Sequence, residues 1–340
     1  MAKHHVYGID LGSYEIKVYD LEKDNIWTEK NVVAVDSSGA LLAVGDHAFA
    51  MYEKTPPDIE VVFPMHEGVI SDFQHIQDLL QYLLDAGSTF AAGGEYTIAV
   101  PADVTELEKR AFFDLLVHSS AKARSVKVIE RGVADAIGLG LDVQRSDGVF
   151  VANFGGETLE LSVIAAGGLV FNQRLPIGGR VMDRLIVERV RHHYNFLIGL
   201  TTAEKLRMKV GIKDDRSGRT VKIAGRDLLY GVPTVKQIPA SLVRASLKDL
   251  LEQCVEAILS LIERTPPEIH RIILNDGIYV AGGLARMTGL PQYINRATGL
   301  HVHTSRKPEM CSVRGLEQIV KLEELNELAY SMEEDTERWA

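Results

Sequence analysis

Apolar positions along the chain follow two periods. Short apolar runs at residues 6–10, 16–20, 31–36, 41–45, 96–100, 126–129, 150–154, 159–164, 221–223, 278–281 and 301–303, with period-2 alternation over most of 16–20 and 159–164, predict strands. Helical spacing predicts helices over 46–52, 72–85, 132–141, 182–194, 202–209 and 241–265. In the second of these, Ile76, Leu79, Leu80, Leu83 and Leu84 share one face. Thr105 with Glu108 three residues on reads as a capping box, and Thr201 or Thr202 as the cap of the 202–209 helix. Pro266-Pro267 stops the long helix. The tail from Val313 reads as a solvated acidic helix with a frayed end, carrying Glu323, Glu324, Glu327, Glu333 and Glu334. Strand and helix alternate in the first half, which predicts a mostly parallel α/β sheet.

Two of the strand pairs carry the same device. One strand ends at Asp10-Leu11-Gly12-Ser13 and another at Asn153-Phe154-Gly155-Gly156-Glu157-Thr158, each followed by a second alternating strand. Glycine frees the turn and lets backbone N–H groups approach a phosphate. An Asp at the strand end can hold a hydrated Mg2+ beside it. The pairing predicts a two-lobed protein clamping a nucleotide between internally similar halves.

Composition narrows the picture only a little. At 340 residues, 46% hydrophobic and 25% charged, the chain suits two lobes of an ordinary globular protein. A formal net charge of −10 argues against wholesale nucleic-acid binding. No apolar leader or uninterrupted membrane-length run is present, and neither cysteine has metal-ligand spacing, so a cytoplasmic protein with reduced thiols is expected. His192-His193 and the His301/His303 pair read as surface or packing residues.

The two turns, with a third strand end at Val280-Ala281-Gly282-Gly283, resemble the nucleotide-contacting elements of the actin/Hsp70/sugar-kinase (ribonuclease H-like) superfold. Longer stretches resemble the MreB/Mbl bacterial actins. They are residues 61–73 (VVFPMHEGVISDF), 100–105 (VPADVT), 136–141 (AIGLGL), 178–183 (GGRVMD), 194–199 (YNFLIG) with 202–205 (TAEK), 225–228 (GRDL), 265–268 (TPPE) and 311–313 (CSV). The resemblance runs from about residue 6 to 320 and implies two lobes of two subdomains each around a nucleotide cleft. Residues 1–31, 66–140 and 310–340 would form the first-lobe core, with 32–65 as its small subdomain. Residues 141–182 and 240–309 would form the second-lobe core, with 183–239 as its small subdomain.

The resemblance also implies ATP/ADP with Mg2+ in the cleft, and a site that departs from the family's pattern. Asp10 is kept, with Gly12, but the usual Thr-Ala-Asn continuation is Ser13-Tyr14-Glu15, and Glu15 would face anionic oxygens. The second loop, normally Asp-x-Gly-Gly-Gly-Thr, is Asn153 through Gly155, Gly156, Glu157 and Thr158 here. Asn153 brings no charge to a divalent ion that Asp10 would hold through water. The third element reads Gly282, Gly283, Leu284, Ala285, and Leu284 would crowd the adenosine side. Glu204, Lys205 and Arg207 stand where the family's Glu-Glu-x-Lys run contacts nucleotide. Most consequential, the family's water-activating Glu aligns with Arg131, a permanent cation that cannot act as a general base. Its neighbour Glu130 is the remaining candidate. An Arg131–Glu157 pair in the γ-phosphate space and a phosphate gripped by Arg131 both stay open at this point.

The implied function is an MreB-like cytoskeletal filament subunit organising cell shape and wall synthesis, binding ATP with weak or no hydrolysis. The alternatives are a fully active ATP-hydrolysing filament and a small-molecule kinase of the same superfold, which would need a substrate-binding insertion that the chain lacks. Implied partners are further copies of the chain or an MreB paralogue, the inner membrane surface and the wall-synthesis machinery, with no nucleic acid. Family members reach the membrane by an N-terminal amphipathic helix, by an exposed apolar first-lobe loop, or by both, and the first of these is not expected here. That loop corresponds to residues 87–94, with Phe90 as its apolar wedge.

Overall fold

In the computed structural model, residues 5–85, 93–118, 122–213 and 218–332 are described. Most of the 87–94 loop, Phe90 included, lies outside them, as do residues 214–217 and the acidic residues Glu333 and Glu334. The chain divides into two compact units. One comprises residues 1–151, 162–173 and 310–340, the other 152–161 and 174–309.

The first unit is built on a five-stranded sheet in the order Ser125–Glu130, Glu95–Val100, Val6–Leu11, Glu15–Asp20, Asn25–Lys30. The first three strands run parallel and the last two pair antiparallel, so the sheet is mixed rather than mostly parallel. The reason is the Gly12 turn, which reverses the chain directly. Gly12 N–H donates to the Glu15 carbonyl at 3.1 Å. Helices Phe73–Asp85 and Glu106–Val117 contribute Ile76, Leu79, Leu80, Phe112, Phe113 and Leu116 to the core over this sheet. The capping box is present: Thr105 N–H donates to Glu108 Oε2 at 2.8 Å, and Glu108 N–H to Thr105 Oγ1 at 3.2 Å.

A second five-stranded sheet repeats the strand order: Gly168–Leu175, Leu159–Ala165, Val149–Phe154, Ile278–Ala281, Val302–Thr304. Each sheet therefore reads third, second, first, fourth, fifth strand along its own stretch of chain. The internal similarity inferred from the two turns is a similarity of topology.

Smaller sheets join Leu41–Val44, Val33–Asp36 and Ile59–Val62 in one place, and Phe196–Leu197, Thr220–Asp227 and Pro233–Pro239 in another. The last two strands form a hairpin whose inner face buries Val221, Ile223 and Ile238. Its tip leaves Leu229 and Tyr230 largely exposed, at 70% and 79%.

Three local expectations are corrected. Helix Leu200–Val210 starts after Gly199, so neither Thr201 nor Thr202 occupies the cap position. The small-residue helix is Arg131–Gly138, ended by Leu139 and by Gly140 at φ +88°. The tail is solvated only in part: Glu323–Asn326 is a short helix with no buried residue, but the segment before it packs inward. Cys311–Lys321 buries Val313, Gly315, Leu316 and Ile319, and Tyr330 bridges back to Val128 through N–H···O bonds of 2.8 and 3.0 Å. The reason is a glycine seam. A Cβ on Gly315 would lie 1.8 Å from the Ala134 carbonyl oxygen, and one on Gly138 would lie 1.9 Å from that of Cys311. Bare glycines let the two helices touch backbone to backbone.

Candidate functional site

In the first unit the Gly12 turn is tight because a Cβ there would sit 2.7 Å from the Glu15 carbonyl oxygen. The buried Asn31 side chain braces the turn by donating to the Gly12 carbonyl at 2.9 Å, and Ser13 Oγ accepts from Gly68 N–H at 3.2 Å. Behind the turn lies an ionic cluster. Asp10, Lys17 and Arg131 are 5%, 7% and 6% exposed. Arg131 Nε stands 3.6 Å from Asp10 Oδ1, and Lys17 Nζ 3.7 Å from Oδ2. Arg131 Nη2 also donates to the Leu11 carbonyl at 3.2 Å. The sequence reading missed Lys17. The available signal was a lysine between Ile16 and Val18 in a strand whose central positions are all buried.

Glu15 does not stand as a bare carboxylate. Lys30 Nζ meets its Oε1 at 2.5 Å and Lys17 lies 3.7 Å from its Oε2. Burial opposes its ionisation, but the hydrogen bond from Lys30 and the field of Lys17 outweigh that and lower its pKa. Lys30 also sits 4.0 Å over the Tyr14 ring, which packs edge-on against Phe49. Tyr14 and Glu15 are thus tied to the neighbouring strand. Glu130, at the N-cap of the Arg131–Gly138 helix, accepts a hydrogen bond from Tyr330 Oη at 2.9 Å.

In the second unit the loop after Val149–Phe154 closes with Gly155 N–H donating to the Thr158 carbonyl at 2.8 Å. The following helix, Gly179–Tyr194, docks on this loop. Gly179 and Arg180 N–H donate to the Gly155 and Gly156 carbonyls at 3.2 and 2.8 Å. Gly178 is required there, since its Cβ would lie 2.4–2.5 Å from the Glu157 backbone. Glu157 is buried, and Arg180 Nη1 meets its Oε1 at 3.2 Å. Thr158 Oγ1 makes a long contact of 3.4 Å to Glu160. Asn153 is buried beside Gly282, whose φ is +89°; a Cβ on Gly282 would lie 2.4 Å from Asn153 Oδ1. Gly283, Leu284 and Ala285 open a short 3-10 turn in which Leu284 is buried.

Arg207 is turned inward. Its Nε and Nη2 donate to the two Asp183 carboxylate oxygens at 2.8 and 3.1 Å, a buried bidentate pair joining two helices. Burial raises the Asp183 pKa despite this partner. Glu204 is half-buried and Lys205 exposed on the same helix as Arg207. The structure thus gathers Asp10, Gly12, Ser13, Glu15 and Arg131 around one turn, and Asn153, Gly155, Glu157 and Gly282 around the other. His193 and His303 are engaged locally, through Nδ1 with the Arg189 carbonyl at 3.0 Å and Nε2 with the Asp276 carbonyl at 2.8 Å. Both cysteines are buried, and burial pushes the Cys254 thiol up to about 12.

Solved structures share this architecture. MreB5 of Spiroplasma citri bound to AMPPNP has a TM-score of 0.88 at 27% identity, covering 96% of this chain and 98% of that one. The MamK double helical filament has a TM-score of 0.79 at 18% identity, covering 94% and 99%. The fold is that of an actin-like protein. The MreB/Mbl protein family profile matches residues 4–328. The cell shape-determining protein MreB of Escherichia coli K12 is 32% identical over 316 residues, 90% of each chain. Mbl of Bacillus subtilis 168 is 30% identical over 312 residues, 91% of this chain and 93% of its own. The chain belongs to the MreB/Mbl family of bacterial actin-like, cell shape-determining proteins. Among the described residues no helix is long and apolar enough to cross a membrane.

Proposed function

We propose that this chain is a filament subunit that binds adenine nucleotide and hydrolyses it weakly or not at all. The observation that carries the reading is Arg131. It stands at the helix start where the family's water-activating Glu is expected, buried against Asp10 and the Leu11 carbonyl. A guanidinium stays protonated at any ordinary pH and takes no proton from water. Loss of a positioned base lowers a rate by about 10²–10⁴-fold. The nucleotide part is supported by MreB5, solved with AMPPNP and with ADP. It is supported too by turns that keep their tight N–H···O closures at Gly12 and Gly155.

Assembly is supported by the family and by the exposed tip of the Thr220–Asp227/Pro233–Pro239 hairpin. That tip is held rigidly: Leu229 and Tyr230 N–H donate to Asp227 Oδ1 at 2.9 and 3.3 Å, and Lys236 meets Asp227 Oδ2 at 2.8 Å. Leu228, Leu229, Tyr230, Val232 and Val235 together expose an apolar surface that a second copy of the chain would cover. A role in cell-wall synthesis at the inner membrane is part of the same proposal. Sedimentation and electron microscopy over a concentration series, with ATP or ADP and with an MreB relative, test the reading. Filaments are expected; monomers in every mixture refute it.

A further inference from the structure

Asp10 is the carboxylate that a hydrated Mg2+ would need in the first turn, and each of its oxygens already faces a fixed cation. Lys17 Nζ lies 3.7 Å from Oδ2 and Arg131 Nε 3.6 Å from Oδ1, all three side chains being buried. Glu15, the next acid along the strand, is held by Lys30 at 2.5 Å and faces Lys17 at 3.7 Å. Lys17, Lys30 and Arg131 thus stand around these two carboxylates. Mg2+ demands near-octahedral oxygen ligands and is bound through one or two carboxylates. At Asp10 it would be set beside two buried charges of its own sign. Among the described residues no group of three or more His, Cys, Asp or Glu converges as a metal site. The donor set does not fit a divalent ion.

We propose that Lys17 and Arg131 take the metal's place, so that the first turn binds the polyphosphate of a nucleotide without a divalent cation. This rests on the nucleotide-binding reading above. Asp10 then positions the two cations instead of a hydrated ion. An ammonium is a compact phosphate-binding charge with three donors, and a guanidinium adds a planar fork that matches phosphate oxygens. The cations are part of the folded chain, so binding needs no third component.

The test is a calorimetric titration of the full chain with ADP and with ATP, in excess Mg2+ and in EDTA at matched ionic strength. The two dissociation constants are expected to agree within about threefold. Lys17→Met should weaken binding in EDTA by about tenfold or more, while Lys17→Arg, which keeps the charge, should retain it. If Lys17→Met fails to fold, the unmodified chain's response to EDTA decides by itself. Tightening by Mg2+ of about tenfold or more in the unmodified chain overturns the inference and leaves the nucleotide reading standing. A folded chain that binds neither nucleotide in either buffer overturns the nucleotide reading itself.

Discussion

Replacing Gly315 by Ala should unseat the helix that carries Arg131. The added Cβ would lie 1.8 Å from the Ala134 carbonyl oxygen, where contacts under 3.0 Å essentially never occur, so the gap must open by about 1.2 Å. The obstacle is backbone on the facing helix, with the Ala134 carbonyl carbon at 2.6 Å behind it, so no side chain can swing away. Against this, alanine in a helix interior is favoured over glycine by about 1 kcal/mol. Overpacking costs typically 1–3 kcal/mol and more where backbone must move, so a net loss of about 2–4 kcal/mol is expected. For a unit of this size, that corresponds to a fall of roughly 5–15 °C in its unfolding transition. Differential scanning calorimetry of the variant measures it directly. A shift of the helix also moves Arg131 relative to Asp10, so nucleotide affinity should fall with stability. An unchanged or raised transition would mean that the two helices do not meet at this seam.

Further outcomes follow from other contacts. Arg207→Leu leaves Asp183 buried without its bidentate partner and should cost about 3–5 kcal/mol in a denaturant titration near neutral pH. Because the Asp183 pKa is already raised by burial and loses the lowering effect of Arg207, the folded variant gains stability on protonation. Its defect should therefore shrink as pH falls through the raised pKa towards the ordinary value of 3.8 and grow as pH rises; a pH-independent defect refutes the pairing. Leu229→Ser with Tyr230→Ser, both on an exposed tip, should leave the unfolding transition within about 0.5 kcal/mol while raising the critical concentration in sedimentation assays. Unchanged assembly would remove the hairpin from the contact. Ser312→Ala removes the 2.6 Å hydrogen bond to the buried Asp135 and should cost about 1–3 kcal/mol, read by the same calorimetry.

The frame of the fold was legible because its signals are local. Alternation and a glycine place the strand pairs at residues 6–20 and 149–165, and Thr105 with Glu108 marks a helix start. Elements without such signals went unseen. Asn25–Lys30 is a polar edge strand, and Pro267–Asp276 is a helix begun by the proline pair that ended the preceding one, since proline suits a first turn. Side-chain pairing was the harder part. Arg131 and Asp10, or Arg207 and Asp183, meet only once the sheet and helices are assembled, so sequence showed the charges but not their partners. Glu15, expected to face anionic oxygens, lies between Lys30 and Lys17, a pairing that the sequence did not show. Lys17 itself looked like one more polar position in an alternating strand until burial set it beside Asp10.

Phosphate release from ATP under assembly conditions, followed for the unmodified chain and for Glu130→Gln, tests most directly whether the chemistry has been lost at Arg131. Both proteins should release phosphate at the same rate, about 10²–10⁴-fold below a turnover supported by a positioned base. Steady, brisk release by the unmodified chain that Glu130→Gln abolishes would contradict this, and would place the working base one residue before Arg131.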